Sequence, residues 1–335
     1  MTFKESILSP VALLYGAAAH LRARAYRQGI LRQQRLDGVV ISVGNLTTGG
    51  TGKTPMVLWI AQRLLAEGKR VGILTRGYRG ETSTAGSTSD EVQLLQARLG
   101  ESAAFGVGAD RFARGRELRA RGVEWFVLDD GFQHLQLARD VDIVLIDAKN
   151  PFGGGRLLPA GRLREPRSAL ARADIVVITR SSHAPAVEAA IRRDSDAPIF
   201  YARPQLDSIR IAKDGSVGAE DSGAHSKKLF AFCGIGNPAA FLADLRDWKF
   251  QIIAHRFFPD HHRYAQQEAD ALIAEARARG AEGLVCTEKD LFNFAGVRWG
   301  TKDVFFCRIS LSFDREDEFW KAVMAAARHT ARSLQ

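Results

Sequence analysis

The stretch VVISVGNLTTGGTGKTP, Val39 to Pro55, constrains the fold more than any other part of the chain. An apolar run, Val39 to Val43, enters a loop with glycines at 49, 50 and 52, and the helical pattern MVLWIAQRLLAEG leaves it. Strand, glycine loop, Lys, Thr and helix in this order make a phosphate loop. Its backbone N–H groups cradle phosphates, Lys53 reaches the β and γ phosphates, and Thr54 is placed to hold Mg²⁺. Gly52, Lys53 and Thr54 are in register with G-x-x-x-x-G-K-[ST], yet Thr47 stands where the first glycine belongs. Gly49 and Gly50 supply flexibility inside the loop instead.

The surrounding chain reads as α/β. Val39–Val43, Val71–Leu74, Val123–Leu128, Val141–Ile146 and Ile175–Ile178 are strand candidates separated by helix-length segments. Their continuous apolar character suits a P-loop NTPase-like, mostly parallel sheet with helices on both faces, so ligands belong at the carboxyl ends of the strands. A second set, Leu229–Phe232, Ile252–Ala254, Leu284–Cys286 and Val304–Phe306, predicts a second, smaller α/β domain. At 335 residues, with 46% apolar and 25% charged, two domains are the default. The expected boundaries are an N-terminal helix over 1–34, a nucleotide domain over 35–198, a short β linker over 199–224 and the second domain over 225–330.

Lys and Arg outnumber Asp and Glu by 47 to 38, and the net charge of +9 favours an anionic partner: nucleotide, nucleic acid or acidic membrane surface. A nucleic-acid role rests on charge alone, since no reading module or basic-aromatic platform is present, and no nucleic-acid partner is expected. Cys233, Cys286 and Cys307 lie in apolar runs without metal-ligand spacing, which predicts buried reduced thiols and fits a cytoplasmic protein. Ile7 to Ala19 is apolar, but it is too short to cross a bilayer, Pro10 interrupts it, and Arg22, Arg24 and Arg27 follow at once. Two readings stay open on residues alone: an uncleaved helix lying on an anionic membrane surface, or a core helix with a basic solvated face.

EWFVLDD, Glu124 to Asp130, is an apolar strand ending in two carboxylates, where a P-loop protein places an acid on Mg²⁺ or its waters. Asp147 ends a similar strand and reads more readily as structural. FPDHHRY, Phe258 to Tyr264, brings a carboxylate and two imidazoles into one turn, and STSDE, Ser87 to Glu91, sets two carboxylates after a polar loop. A phosphoryl acceptor needs a positioned base, and a His oriented by an Asp supplies one. A zinc site is disfavoured by the spacing.

Taken together, GNLTTGGTGKTP, RGYRG (Arg76–Gly80), SDE (Ser89–Glu91), DDGFQH (Asp129–His134), FGGGRLLPAGRLREP (Phe152–Pro166), FPDHHRY and TEKD (Thr287–Asp290) resemble the tetraacyldisaccharide 4'-kinases, the lipid A 4'-kinases of Gram-negative bacteria. The resemblance covers roughly residues 5 to 325, and in this family the loop commonly lacks its first glycine. It implies transfer of the ATP γ-phosphate to the 4'-hydroxyl of a lipid disaccharide 1-phosphate at the cytoplasmic face of the inner membrane. It also implies two α/β domains joined by a small β linker with the nucleotide between them, and it favours the membrane-surface reading of the N-terminal helix.

Residue by residue, the resemblance implies that Thr47, Thr48, Gly49, Gly50, Thr51, Gly52, Lys53 and Thr54 bind ATP. Asp90 and His261 correspond to the acid–imidazole pair that activates the acceptor hydroxyl. Thr54, Glu91, Asp129 and Asp130 are candidates for Mg²⁺ or its waters. Val92 stands where the family often has proline and Ser89 where it has glycine, which touches loop geometry and leaves the carboxylates in place. Arg76 and Arg79 follow the second strand and could meet the substrate's 1-phosphate through forked hydrogen bonds, or form a solvated basic loop. Glu165 is an acid in a basic segment and a candidate substrate contact. TEKD differs from the guanine-reading N/T-K-x-D by one position and gives no support for GTP. The rival reading is a membrane-associated partition or division-type ATPase switch; such proteins carry a second lysine where this chain has Thr48 and lack a DHH-bearing domain.

Overall fold

The computed structural model describes residues 3–77, 89–213, 216–220, 222–294, 296–300 and 303–332. The chain divides into two compact units, the first made of Met1–Ser87, Arg98–Arg203 and Leu311–Gln335, the second of Thr88–Ala97 and Pro204–Ser310.

The first unit carries strands β1 (Val39–Asn45), β2 (Val71–Thr75), β3 (Ala103–Val107), β4 (Trp125–Asp129), β5 (Val141–Asp147), β6 (Ile175–Thr179) and the start of β7 (Ile199–Lys213). They lie in the order β3-β2-β4-β1-β5-β6-β7, and every pairing is parallel. Register puts Val40, Phe126, Leu128, Val144 and Val176 on one face and Ile41, Val43, Val127 and Ile143 on the other; all are buried. That two-sided burial explains why these strands read as unbroken apolar runs. β3, sequence AAFGV, escapes such a reading because Ala and Gly carry no β-branched signal.

Helix α1 (Phe3–Arg27) precedes the sheet, and α2 (Lys53–Ala66) follows β1, burying Met56, Val57, Ile60, Ala61 and Leu64 at helical spacing. After α3 (Asp90–Leu99) comes α4 (Arg111–Ala120), whose Leu118 joins Leu74 and Phe126 in one apolar cluster. Behind β1, a β-carbon on Gly44 would fall 2.5 Å from Phe132 Cβ, so glycine there lets the DDGFQH turn close onto the strand.

In α1, Ala12, Gly16 and Ala23 are buried, whereas Val11, Leu13, Leu14 and Leu21 are 50%, 74%, 72% and 64% exposed. The helix thus buries its small residues and leaves its large apolar side chains exposed. Among the described residues no helix is long and apolar enough to cross a membrane.

The second unit orders β9 (Lys228–Cys233), β10 (Gln251–Phe257), β11 (Gly283–Thr287) and β12 (Asp303–Phe313) as β10-β9-β11-β12, again parallel. Alternate residues feed two cores. Phe230, Phe232, Leu284, Cys286, Val304 and Phe306 pack with Leu272 of α7 (Gln266–Ala278). Leu229, Ala231, Cys233, Val285, Phe305 and Cys307 pack with Leu245 of α6 (Pro238–Asp247). The three cysteines are buried and free, and burial pushes their thiols above the usual range.

The unit boundaries differ from the sequence boundaries at three places. Residues 199–203 belong to the first unit, because the start of β7 pairs with β6 from Val176↔Ile199 to Thr179↔Ala202. The later part of β7 pairs antiparallel with β8 (Ser216–Glu220) inside the second unit. The C-terminal segment also returns to the first unit: α9 (Glu316–Arg332) brings Phe319 and Trp320 to ring distances of 5.4 and 5.8 Å from Trp59, beside Phe313 at 4.7 Å. Conversely, residues 88–97 join the second unit.

Candidate functional site

The phosphate loop connects the end of β1 to α2. Gly49 and Gly52 have φ of 117° and 90°, left-handed values that side chains resist, so these two positions require glycine. Gly52 is the N-cap of α2 and offers no capping side chain, and the helix's first turn holds no acid. The leading N–H groups of α2 are therefore left for an anion, and the helix dipole adds to their pull. Asn45 braces the interior: its Nδ2 donates to Thr51 Oγ1 at 2.9 Å, and its Oδ1 accepts from Lys53 Nζ at 3.3 Å. Thr179 Oγ1, from the end of β6, donates to the Thr51 carbonyl at 3.1 Å. Neither Asn45 nor Thr179 stands out in the sequence, since each is an ordinary polar residue at a strand end.

Asp129 ends β4, and Asp130, the next residue, reaches the loop. Lys53 Nζ lies 3.5 Å from Asp130, whose oxygens accept from Arg164 Nη1 at 2.8 and 2.7 Å. Burial would raise the Asp130 pKa, but Lys53 and Arg164 outweigh it and hold the carboxyl below its usual range. Asp129 is buried and accepts from Thr75 Oγ1 at 3.2 Å. Arg111, only 5% exposed, adds a cation whose field reaches both acids. His134 is pushed down to about 4 by burial, Arg111 and Arg139, so it is neutral near pH 7.

The structure thus brings Lys53 and Asp130 together beside the loop, bonds the neighbouring Asp129 to Thr75, and sets Glu91 in the second unit, paired with Lys289 Nζ at 3.0 Å. Arg76 is described and exposed, while Arg79 lies outside the described residues. Glu165 is 5% exposed, and its carboxylate accepts from Arg172 at 2.9 and 3.0 Å and from Gln133 at 3.1 Å. The acid thereby ties Arg172 to Gln133 of the DDGFQH motif.

In the second unit His261 Nδ1 lies 2.9 and 3.0 Å from the two oxygens of Asp90. The pair is built by its neighbours. Asp90 opens α3 and also accepts from Asn293 Nδ2 at 3.2 Å. His261 has a φ of 59°, and its N–H donates to the Gly234 carbonyl at 3.0 Å. The fully buried Asp290 of TEKD accepts from Gly234 N–H and Tyr264 Oη, each at 2.7 Å, and from Thr287 N–H at 3.1 Å. TEKD is therefore a scaffold for the imidazole loop.

Charge in this cluster is mutually adjusted. The Asp90 hydrogen bond raises the His261 pKa against burial and Lys289. For Asp90, burial pushes upward, yet His261, Lys289 and Asn293 together hold the carboxyl below its usual range. Asp90 therefore contributes stability that is lost as pH falls through its lowered folded pKa. His261 contributes stability that is complete below its unfolded pKa and lost as pH rises through its raised folded pKa. The pair stabilises most between about pH 4 and 6.5. In Asp90→Asn the His261 titration, followed by imidazole NMR, is expected to fall below that of the wild type; an unchanged titration would show that Asp90 does not set it.

The comparisons bear on these geometries. The chain matches the tetraacyldisaccharide-1-P 4'-kinase family over residues 4–328. It is 41% identical over 310 residues to the tetraacyldisaccharide 4'-kinase of Geobacter metallireducens, covering 87% of this chain and 89% of that one. With the corresponding kinase of Anaeromyxobacter sp. (strain Fw109-5) it shares 37% over 344 residues, covering 96% and 92%. Among solved structures, the "apo" form of LpxK from Aquifex aeolicus in complex with ATP superposes with a TM-score of 0.74 at 28% identity, over 97% of this chain and 99% of that one. The partition-ATPase alternative is not favoured by any of these. With a phosphate loop and an Asp–His pair at the positions the motifs specify, the chain is an enzyme of the phosphotransferase class and belongs to the tetraacyldisaccharide-1-P 4'-kinase family.

Proposed function

We propose that the chain transfers the γ-phosphoryl group of ATP to the 4'-hydroxyl of tetraacyldisaccharide 1-phosphate, a step of lipid A biosynthesis, while docked on the cytoplasmic face of the bacterial inner membrane. The observation that carries the reading is the Asp90–His261 pair, because a phosphate loop alone also serves switches and motors. Family membership and the uncapped start of α2 support ATP as donor.

Phosphoryl transfer asks for positioning and for neutralisation of charge. The loop amides and Lys53 take the triphosphate, with Asn45 and Asp130 steering the ammonium. Thr54, Asp129 and Asp130 offer hydroxyl and carboxylate oxygens, a donor set that suits Mg²⁺ bound chiefly through phosphate oxygens and water. When bound, that ion would neutralise charge on the phosphates. In the second unit, Asp90 accepts the Nδ1 proton of His261 and so fixes the tautomer that carries its lone pair on Nε2. Nε2 is the atom that takes the acceptor hydroxyl's proton, and Asp90 steadies the imidazolium that results. Arg76 and Arg79 are assigned to the substrate's 1-phosphate.

The exposed apolar residues of α1 support docking on a membrane. Val11, Leu14 and Leu21 recur at helical spacing on one stripe, and Arg22, Arg24 and Arg27 lie at the helix end, where anionic headgroups would meet them. No nucleic-acid partner is proposed.

Three measurements test this. In a single-turnover assay with γ-labelled ATP, Mg²⁺ and detergent-dispersed tetraacyldisaccharide 1-phosphate, label is expected on the lipid, and Asp90→Ala is expected to slow transfer by about 10²–10⁴-fold. Lys53→Ala is expected to suppress it as well; ATP hydrolysis indifferent to lipid, with no transfer, would return the switch reading. Arg76→Ala with Arg79→Ala is expected to raise the lipid KM about tenfold, a loss near 1.4 kcal/mol, and an unchanged KM removes that assignment. Leu13→Glu with Leu14→Glu is expected to abolish cosedimentation with anionic vesicles while leaving the fold intact by circular dichroism; undiminished binding would move the membrane contact elsewhere.

A further inference from the structure

The segment Phe152–Pro166 carries conspicuous glycines and arginines, of which the site described above involves only Arg164, as a partner of Asp130. The structure lays residues 162–164 antiparallel to residues 46–48, the first part of the phosphate loop. Arg164 N–H donates to the Leu46 carbonyl at 2.7 Å, Thr48 N–H donates to the Arg162 carbonyl at 2.8 Å, and Thr47 faces Leu163 as a bridge pair. The exposed side chain of Arg162 turns back on the same loop: Nε and Nη2 donate to the Thr48 carbonyl at 3.1 and 2.8 Å. A β-carbon on Gly49 would fall 2.2 Å from Nη2, so the guanidinium lies directly against the residue where the loop turns left-handed.

These contacts bear on the missing glycine. A glycine at the start of a phosphate loop is free to take the backbone shape the turn needs, and it loses conformational entropy when it does so. Thr47 is stiff at χ1 and buried, and its backbone is held by ribbon pairing instead. The Thr48 carbonyl, an acceptor that would repel phosphate oxygens, is engaged by a two-pronged, charge-assisted donor.

We propose that Arg162 is a positioning residue for the nucleotide: it holds Thr47–Gly49 in the phosphate-accepting shape and ties down the Thr48 carbonyl, replacing the order that a first glycine's turn would supply. The inference rests on the kinase reading only in taking ATP as the loop's ligand. Its effect falls on ATP affinity more than on transfer to the acceptor.

The test is ATP binding to the full-length chain, measured by calorimetry without lipid, alongside the steady-state constants with lipid. Arg162→Ala is expected to weaken ATP binding about tenfold and to raise the ATP KM by more than it lowers kcat. Hydrogen exchange at the Thr48 amide is expected to accelerate in the nucleotide-free variant. Arg162→Lys keeps the charge and loses the fork, so it is expected to recover less than half of the lost affinity. Unchanged affinity in Arg162→Ala overturns the proposal, as does full recovery in Arg162→Lys, which would reduce the effect to charge alone. Failure of the wild type itself to bind ATP would instead sink the kinase reading, so the two failures are distinguishable.

Discussion

The open N-terminus of α2 is the constraint around which the first unit is arranged. Backbone N–H groups at a helix start must be satisfied, and the N-cap, Gly52, has no side chain to do so. An anion is the ligand that suits them, provided the loop ahead of the helix is held in shape from outside. β1 supplies one anchor, Asn45 and Thr179 supply the interior hydrogen bonds, and residues 162–164 supply the outer strand of the ribbon. Asp130 then sits where Lys53 and Arg164 share its charge, which keeps a lysine ammonium aimed at the loop.

The second unit solves a different problem, holding an imidazole in a left-handed backbone position next to a carboxylate. Asp290 does this at one remove. Its two oxygens gather Gly234, Tyr264 and Thr287 from three parts of the chain, and Gly234 in turn fixes the amide of His261. A buried carboxylate with this many donors is costly to move, because any one lost bond leaves a buried polar group unsatisfied. The same cluster sets Asp90 through Asn293, so the acid and the imidazole are aligned by neighbouring residues of one short segment, 287–293.

Much of the site was legible because chemistry there is local in sequence. Gly52, Lys53 and Thr54 follow one another, Asp129 and Asp130 end one strand, and each motif can be recognised without its neighbours. Glu91 and Glu165 show what that reading leaves out. Both are acids in functional motifs, yet Lys289 and Arg172 engage them, and those partners lie 198 and 7 positions away. Arg164, Asn45 and Thr179 were missed for the same reason, since an ordinary polar residue gains its role only from what it meets.

The sequence by itself determined the parallel α/β character, the phosphate loop and the strand-end acids, because apolar runs and glycine positions encode backbone shape directly, and its motifs carried the resemblance to the family. The pairing of Asp90 with His261 came from the resemblance to the 4'-kinases and not from spacing, and the structure sets the two within hydrogen-bond distance. Only the tertiary structure decided that α9 returns to the first unit, that residues 88–97 travel with the second, that Glu165 is buried against Arg172, and that a distant arginine braces the glycine-poor start of the loop. Most of those outcomes depend on side chains meeting across more than a hundred positions, and Glu165 with Arg172 shows that even 7 positions suffice to hide a partner: outside helix and strand periodicity, packing and charge pairing choose the partner.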